Sequence, residues 1–387
     1  MKIVIIGNGA AAIAAAEGIR RKDPSIAVTM ISDEKYTHYS RPRVIELLSG
    51  RVTQEQIIIK KKEFYDINGI NLIYPVNVRS IDAGGRAVIL ENGAKENYDK
   101  LIIAAGAYSF IPPVEGSKNP GVFTLRTIDD ANAVINYSKD KKTAAVIGGG
   151  LLGIEAAVSL VTRGLQTTIV EFFDRLLPRQ LDMDGAAILR AMLETKGLKF
   201  MLPKQAQTIS AAGNELTVNF KDGTNLTAGL ILFSSGIRSN LKIIEGTDIA
   251  ADKGIKVNNF METNIPGIYA CGDVTEYNGM VYGIWPAAKE QGTAAGLNAA
   301  GEKTEYKGSV LSAKLKVAGI DLGSMGNIEA DADTRVFTKH EGGVFKRVFI
   351  KDGKLSGAIL LGDTVDYQKL QEVMKTGGTV LNPEGLV

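Results

Sequence analysis

Apolar residues along this chain gather into short unbroken runs. Lys2-Ile3-Val4-Ile5-Ile6 is the first of them. Too short for a helix and free of polar alternation, it reads as a strand buried on both faces of a parallel sheet. A glycine turn follows, Gly7-Asn8-Gly9-Ala10-Ala11-Ala12, and the alanine-rich run to about Arg21 predicts a helix whose small side chains let it lie close to the sheet. Asp23-Pro24 breaks that helix, and Ala27 to Ile31 predicts a second strand. The same order returns later, with a strand from Thr143 to Ile147, the turn Gly148-Gly149-Gly150-Leu151-Leu152-Gly153, a helix ended by Gly164, and a strand from Thr167 to Val170. Between and after these, Asn71 to Ile81, Arg86 to Leu90, Tyr98 to Ala107, Gly213 to Phe220, Leu226 to Ser234 and Thr263 to Val274 read as strands, and Pro286 to Ala300 as a helix. Strands near Thr334 to Thr338, Val344 to Ile350 and Leu355 to Leu361 close the pattern. Strand, turn and helix, given twice, define an α/β chain with two Rossmann-like units and a small α+β tail.

Both turns carry the spacing that seats a pyrophosphate. Gly7 permits the tight turn, Gly9 has no Cβ to block a phosphate, and the helix amides beyond them carry partial positive charge. Asp33-Glu34 then place carboxylates where a ribose hydroxyl would sit. Glu171, 21 residues after Gly150, has the placement that accepts from an unphosphorylated ribose and repels a 2′-phosphate, which favours NADH over NADPH. Arg175 is close enough in sequence to accept a phosphate instead. Glu155, in the first turn after Gly153, is a carboxylate that the helix dipole favours. Small residues at the end of the Tyr98 to Ala107 run leave room for a ligand, Gly272-Asp273 puts an acceptor beside it, and Trp285 is either an aromatic plate at a helix mouth or plain core.

Composition narrows the chemistry. A chain of 387 residues with 45% apolar content predicts two to three domains with ample cores. A formal net charge of +2 gives no case for nucleic acid. The single cysteine, Cys271, excludes a disulfide framework, a CxxC pair and a cysteine-held iron–sulfur cluster within this chain, and inside its strand it reads as a small inert hydrophobe. His38 and His340 form no recognisable triad or ligand cluster and read as structural. Lys60-Lys61-Lys62 reads as a solvated helix face. The apolar start is too short for a signal sequence and no long apolar span occurs, so a cytoplasmic, non-membrane protein is expected.

The two dinucleotide turns, the YDKLIIAAGA strand, the SSGIRSN crossover and IYACGDV resemble the two-dinucleotide-binding-domain flavoproteins across nearly the whole chain. HYSRPRVIELLSG, which has Ser40, Arg41 and Pro42 where disulfide-type flavin reductases carry redox cysteines, and the tail SAKLKVAGIDLGSMG look most like NADH:rubredoxin oxidoreductases and the flavin-binding part of NADH-dependent nitrite reductases. The resemblance implies a discontinuous FAD-binding domain at 1–111 and 235–305, an NAD(H)-binding domain at 112–234, and a C-terminal α+β domain at 306–387. It implies FAD with its pyrophosphate on Gly7, Gly9 and Ala12, its adenosine ribose on Glu34, its adenine by Val78 and its ribityl chain on Asp273. Arg41, Pro42, Ala105, Gly106, Gly236 and Gly272 would border the same cofactor, although Ala105 departs from the threonine or serine of many relatives. Trp285 and Lys316 would approach the isoalloxazine. NADH would occupy Gly148, Gly150, Gly153 and Glu171, with Glu155 near the nicotinamide.

The activity so implied is electron transfer from NADH through FAD to a one-electron acceptor, rubredoxin or a similar small protein, by a monomer or homodimer. An NADH oxidase or peroxide-reducing enzyme and an NADH-sensing flavoprotein are the alternatives. Arg41, Arg43, Arg51, Lys60 to Lys62, Lys314 and Lys316 would favour an acidic partner if they share a face.

Overall fold

The computed structural model describes residues 1–309 and 313–387. Ser312, the opening residue of the SAKLKVAGIDLGSMG segment, lies outside the described residues. The chain packs as two units, one of Met1–Arg43, Thr53–Ser109 and Gly236–Leu311, the other of Val44–Val52, Phe110–Ser235 and Ser312–Val387.

The first unit is built on a five-stranded parallel sheet in the order Ile268–Ala270, Lys100–Ile103, Lys2–Ile6, Ala27–Ile31, Ile70–Ile73. Ile3, Val4, Ile5, Leu101, Ile102 and Ile103 have no exposed surface, as expected of strands covered on both faces. The helices Ala10–Lys22 and Trp285–Ala299 cross on one face. A Cβ at Gly292 would run into the backbone of Ala11, and one at Gly296 into that of Ala15, so glycine on one helix and alanine on the other set the closeness of the crossing. A three-stranded antiparallel ribbon, Val78–Asp82, Ala87–Leu90 and Lys95–Asn97, completes this unit's β-structure beside two short pairs.

The second unit repeats the plan. Its parallel sheet runs Lys199–Met201, Gln166–Val170, Thr143–Ile147, Leu230–Phe233, Val122–Thr124, and its antiparallel ribbon is Ala206–Ala212, Glu215–Phe220 and Asn225–Ala228. To this it adds an antiparallel sheet in the order Ala313–Val317, Ile320–Gly326, Lys354–Leu361, Val344–Lys351, Arg335–Glu341, with the helix Tyr367–Thr376. Val317, Leu322, Phe345, Phe349, Ile359 and Leu361 of that sheet share one core with Ile154, Leu181 and Leu189. Arg347 fixes the contact by pairing with Asp182, the residue that caps the helix Met183–Glu194, and with Asp184 at 2.8 Å.

Several boundaries differ from the sequence expectation. The run Asn71 to Ile81 is two strands, Ile70–Ile73 in the parallel sheet and Val78–Asp82 in the ribbon. Pro75, which has no amide to give a ladder, lies in the break. Leu226 to Ser234 divides at Gly229 into an antiparallel strand and a parallel one. Thr263 to Val274 contracts to Ile268–Ala270, and Tyr98 to Ala107 to Lys100–Ile103. Ala206–Ala212 was not expected at all, its residues being small or polar apart from Ile209 and mostly solvent-facing.

Candidate functional site

In the first unit the carboxyl ends of three neighbouring strands bring Gly7, Ala105-Gly106 and Gly272-Asp273 to one edge of the sheet. Gly7 has φ +117, donates to the Ile31 carbonyl at 2.7 Å, and would drive a Cβ into the Ala104 carbonyl. Gly9 is different: its backbone is extended, and a Cβ there would meet nothing within 4 Å. Nothing in the protein demands a glycine at that point. Gly9 also caps the Ala10–Lys22 helix without any side-chain acceptor for the first amides. Open space over uncapped helix amides is the geometry that an anionic phosphate fits. Ala12 is fully buried beneath it.

Around that edge, Gly272 lies against the helix start, where a Cβ would come within 2.9 Å of the Ala11 methyl, and its amide donates to the buried Gln291 side chain at 2.9 Å. Glu34 accepts from the Tyr39 hydroxyl and the Arg41 guanidinium, both at 2.5 Å. Desolvation opposes the charge on Arg41, but Tyr39, Glu34 and Asp273 outweigh it and hold its pKa above the ordinary value. Arg41 therefore lies under the influence of both carboxylates that the sequence singled out. Pro42 is exposed, Val78 opens its strand half-buried, and Gly236 leads into the strand Ile237–Ser239. The Asn240 amide donates to the Gly106 carbonyl at 3.0 Å, and the Ser239 hydroxyl to the Asp273 carbonyl at 2.8 Å.

Trp285 is the first residue of its helix, and it stacks on His38 with ring centroids 5.7 Å apart and planes 26° from parallel. Sequence reasoning read His38 as structural and did not link it to Trp285, because the two lie far apart along the chain. The signal available was its position three residues before Arg41-Pro42. Cys271 has no exposed surface, and burial pushes its thiol up to about 12, so it stays protonated at neutral pH. Of the cations noted in the sequence, Lys60 pairs with Glu17 at 2.8 Å and Lys62 with Asp66 at 2.9 Å.

The second unit gives the same turn in another setting. Gly148 has φ +125, and its Cβ would strike the Ser234 carbonyl; Gly150 caps the helix Leu151–Thr162 with no side-chain acceptor and with nothing within 4 Å of a Cβ. Gly153 packs onto the Gly148 carbonyl. Glu171 is buried and held twice by backbone, accepting from the Gly149 amide and, at 2.9 Å, from the Phe173 amide. Arg175 is engaged elsewhere, donating to the Leu181 carbonyl at 3.2 Å and meeting Asp174 at 3.3 Å. Glu155 falls in the second turn of the helix rather than the first, and its carboxylate accepts from the Ala318 amide at 2.7 Å. Lys316 is exposed on its strand, 3.8 Å from Asp321. Phe172 and Phe173, which the turn motif did not point to, stand exposed and edge-to-face just after Glu171.

Among the described residues no helix is long and apolar enough to cross a membrane. Residues 1–292 match the pyridine nucleotide-disulphide oxidoreductase family, and 312–378 match the rubredoxin NAD+ reductase C-terminal domain. The chain is 37% identical to the assimilatory nitrate reductase electron transfer subunit of Bacillus subtilis over 95% of its own length but only 48% of that protein's, so it spans about half of that relative. It is 35% identical to NADH-rubredoxin oxidoreductase of Clostridium acetobutylicum over 100% of this chain and 97% of that one. The crystal structure of the latter superposes with a TM-score of 0.85 at 34% identity, covering 99% and 97% of the two chains. A family match from residue 1 to residue 292, with a relative aligned from end to end, means that the chain belongs to the pyridine nucleotide-disulphide oxidoreductase family.

Proposed function

We propose that the chain passes electrons from NADH through FAD to a one-electron acceptor protein of the rubredoxin type. The observation that carries this reading is the pair Gly9 and Gly150. Each begins a helix of twelve or thirteen residues, each leaves the first amides without a side-chain cap, and each keeps open the space that a Cβ would take. Thr127 and Asp182 cap two other helices, whereas Trp285–Ala299 and Tyr367–Thr376 also start without a side-chain cap, so it is the missing cap together with the open glycine that marks these two turns. Two open helix mouths fit two dinucleotides.

The proposed boundaries are 1–111 with 235–305 for the FAD domain, 112–234 for the NAD(H) domain, and 306–387 for the C-terminal domain. In the first, Gly7, Gly9 and Ala12 give a pyrophosphate its floor and amides. Glu34 and Asp273 would offer acceptors to sugar hydroxyls, with Arg41 bonded to Glu34 and under the charge of both, and Val78 would border the adenine. In the second, Gly148, Gly150 and Gly153 form the floor, and Glu171 disfavours a 2′-phosphate by its charge. When bound, flavin accepts a hydride from reduced nicotinamide and gives up electrons singly. The chain's residues have to bind and orient two rings, and no nucleophile is required of them. Cys271, buried and protonated, offers none, which counts against a thiol-based peroxide reductase.

The test is to add FAD to the purified chain and follow NADH oxidation with rubredoxin, with a small quinone and with oxygen alone. The proposal expects bound FAD and turnover fastest with rubredoxin. Bound FMN, or oxidation no faster with rubredoxin than with oxygen, would reject it.

A further inference from the structure

His38 and Tyr65 connect two parts of the first unit that are distant in sequence. The His38 Nδ1 lies 3.0 Å from the Asn8 carbonyl, and since a carbonyl only accepts, Nδ1 carries the proton. The Tyr65 hydroxyl donates to the Asn8 side-chain oxygen at 2.7 Å and accepts from the His38 amide at 3.1 Å. Asn8 sits between Gly7 and Gly9, so this network grips the middle of the glycine turn. The other face of the arrangement is the stack on Trp285, at the mouth of the Trp285–Ala299 helix. His38 is 4% exposed and Tyr65 2%. Lys60, Arg41 and Glu17 are the charged groups that act on the imidazole; burial, with Lys60 and Arg41, outweighs the Asn8 bond and Glu17 and lowers its pKa to about 4. The ring is neutral at physiological pH.

We propose that His38 is a positioning residue that couples the first glycine turn to Trp285, through one nitrogen bonded to Asn8 and one ring face stacked on the indole. The two functions belong to different parts of the side chain and are separable. Where the proposal concerns a bound dinucleotide, it rests on the reading of this turn as the FAD site.

The chain has one tryptophan, so indole fluorescence reports on Trp285 alone. H38N keeps an amide donor for the Asn8 carbonyl and loses the ring; H38F keeps a ring and loses the donor. Each is checked for folding by far-ultraviolet circular dichroism, with H38Q as a second donor-bearing variant. In H38N and H38Q, Trp285 emission should shift to the red and acrylamide quenching should rise. In H38F, emission and quenching should stay near wild type while the FAD dissociation constant rises about fivefold, the worth of one hydrogen bond. Unchanged emission in H38N and H38Q, or unchanged FAD affinity in H38F, would overturn the coupling. A wild-type chain that takes up no FAD would sink the FAD reading itself, and the emission measurements would still decide whether His38 holds Trp285.

Discussion

The two glycine turns share a plan and are held in opposite ways. In the second unit the acid follows its strand at once: Glu171 comes directly after the strand Gln166–Val170 and folds back to accept from the Gly149 amide. In the first, Glu34 comes three residues after the strand Ala27–Ile31 and is met by the side chains of Tyr39 and Arg41. The middle residue of the first turn is instead held by Tyr65 and His38. One turn is thus stiffened by backbone and its own acid, the other by side chains drawn from across the unit. On the proposed reading, a dinucleotide on the first turn would be sensed by many residues and one on the second chiefly by Glu171.

The largest expected effect tests what the turns have in common. G7A and G148A each combine a left-handed φ with a carbonyl in the path of the new Cβ, and each should lose about 2–5 kcal/mol in urea unfolding. G9A and G150A meet no atom of the protein and should lose no more than about 1 kcal/mol. Similar losses at all four positions would show that the open space is not reserved. With valine the turns should part company: G9V should lose FAD, and G150V should keep FAD but raise the KM for NADH.

Next comes acid. Unfolded histidine takes up its proton near the usual value of about 6.5, whereas His38 in the fold does so only at about 4. The unfolded chain therefore binds more protons in that window, and stability falls as pH falls through it, by about 3 kcal/mol in total. Subtracting the H38F stability curve from the wild-type curve should isolate this loss, and a flat difference between pH 7 and pH 4 would contradict a buried neutral imidazole.

E171A should lower the NADH-to-NADPH ratio of kcat/KM about tenfold, since it removes a charge-assisted acceptor and a repulsive charge together. Because Glu171 also holds the Gly149 and Phe173 amides, E171A should in addition raise the KM for NADH. An unchanged ratio would confine Glu171 to shaping the turn. The smallest effect concerns Glu155. E155A should cost about 1 kcal/mol through the Ala318 amide, whereas E155Q keeps an acceptor there and should melt as the wild type does. A fall in kcat with E155Q, at unchanged stability, would be the sign of a contact with nicotinamide.

The parallel sheets were legible because Ile3 to Ile6 and Ala144 to Ile147 are short unbroken apolar runs ended at once by a glycine turn, the pattern of a strand buried on both faces. Ala206–Ala212 was not legible, since its exposed face carries no apolar signal and only its ladder to Glu215–Phe220 makes it a strand. The glycine turns identified themselves by spacing. What spacing could not show is whether a glycine is needed by the fold or by something bound to it, and Gly7 and Gly9, two residues apart, answer differently. His38 was read as an ordinary structural histidine because a stack is a property of two rings, and Trp285 comes to it only when the sheet is assembled. The Val44–Val52 segment sits in the second unit, where the Ser159 hydroxyl reaches the Ile45 carbonyl at 3.3 Å and the Arg163 guanidinium the Leu48 carbonyl at 3.1 Å. No local pattern in its sequence announces those partners.

The crossing of the helices Ala10–Lys22 and Trp285–Ala299 has a consequence for how this chain can vary. At most buried positions a larger side chain can be accommodated if a neighbour is trimmed, so paired substitutions open routes that single ones close. At Gly292 and Gly296 the obstructing atoms are the backbone of Ala11 and Ala15, which no substitution can shorten. A library randomised at both positions together with their side-chain neighbours should return glycine at each, with no compensated pairs among the survivors.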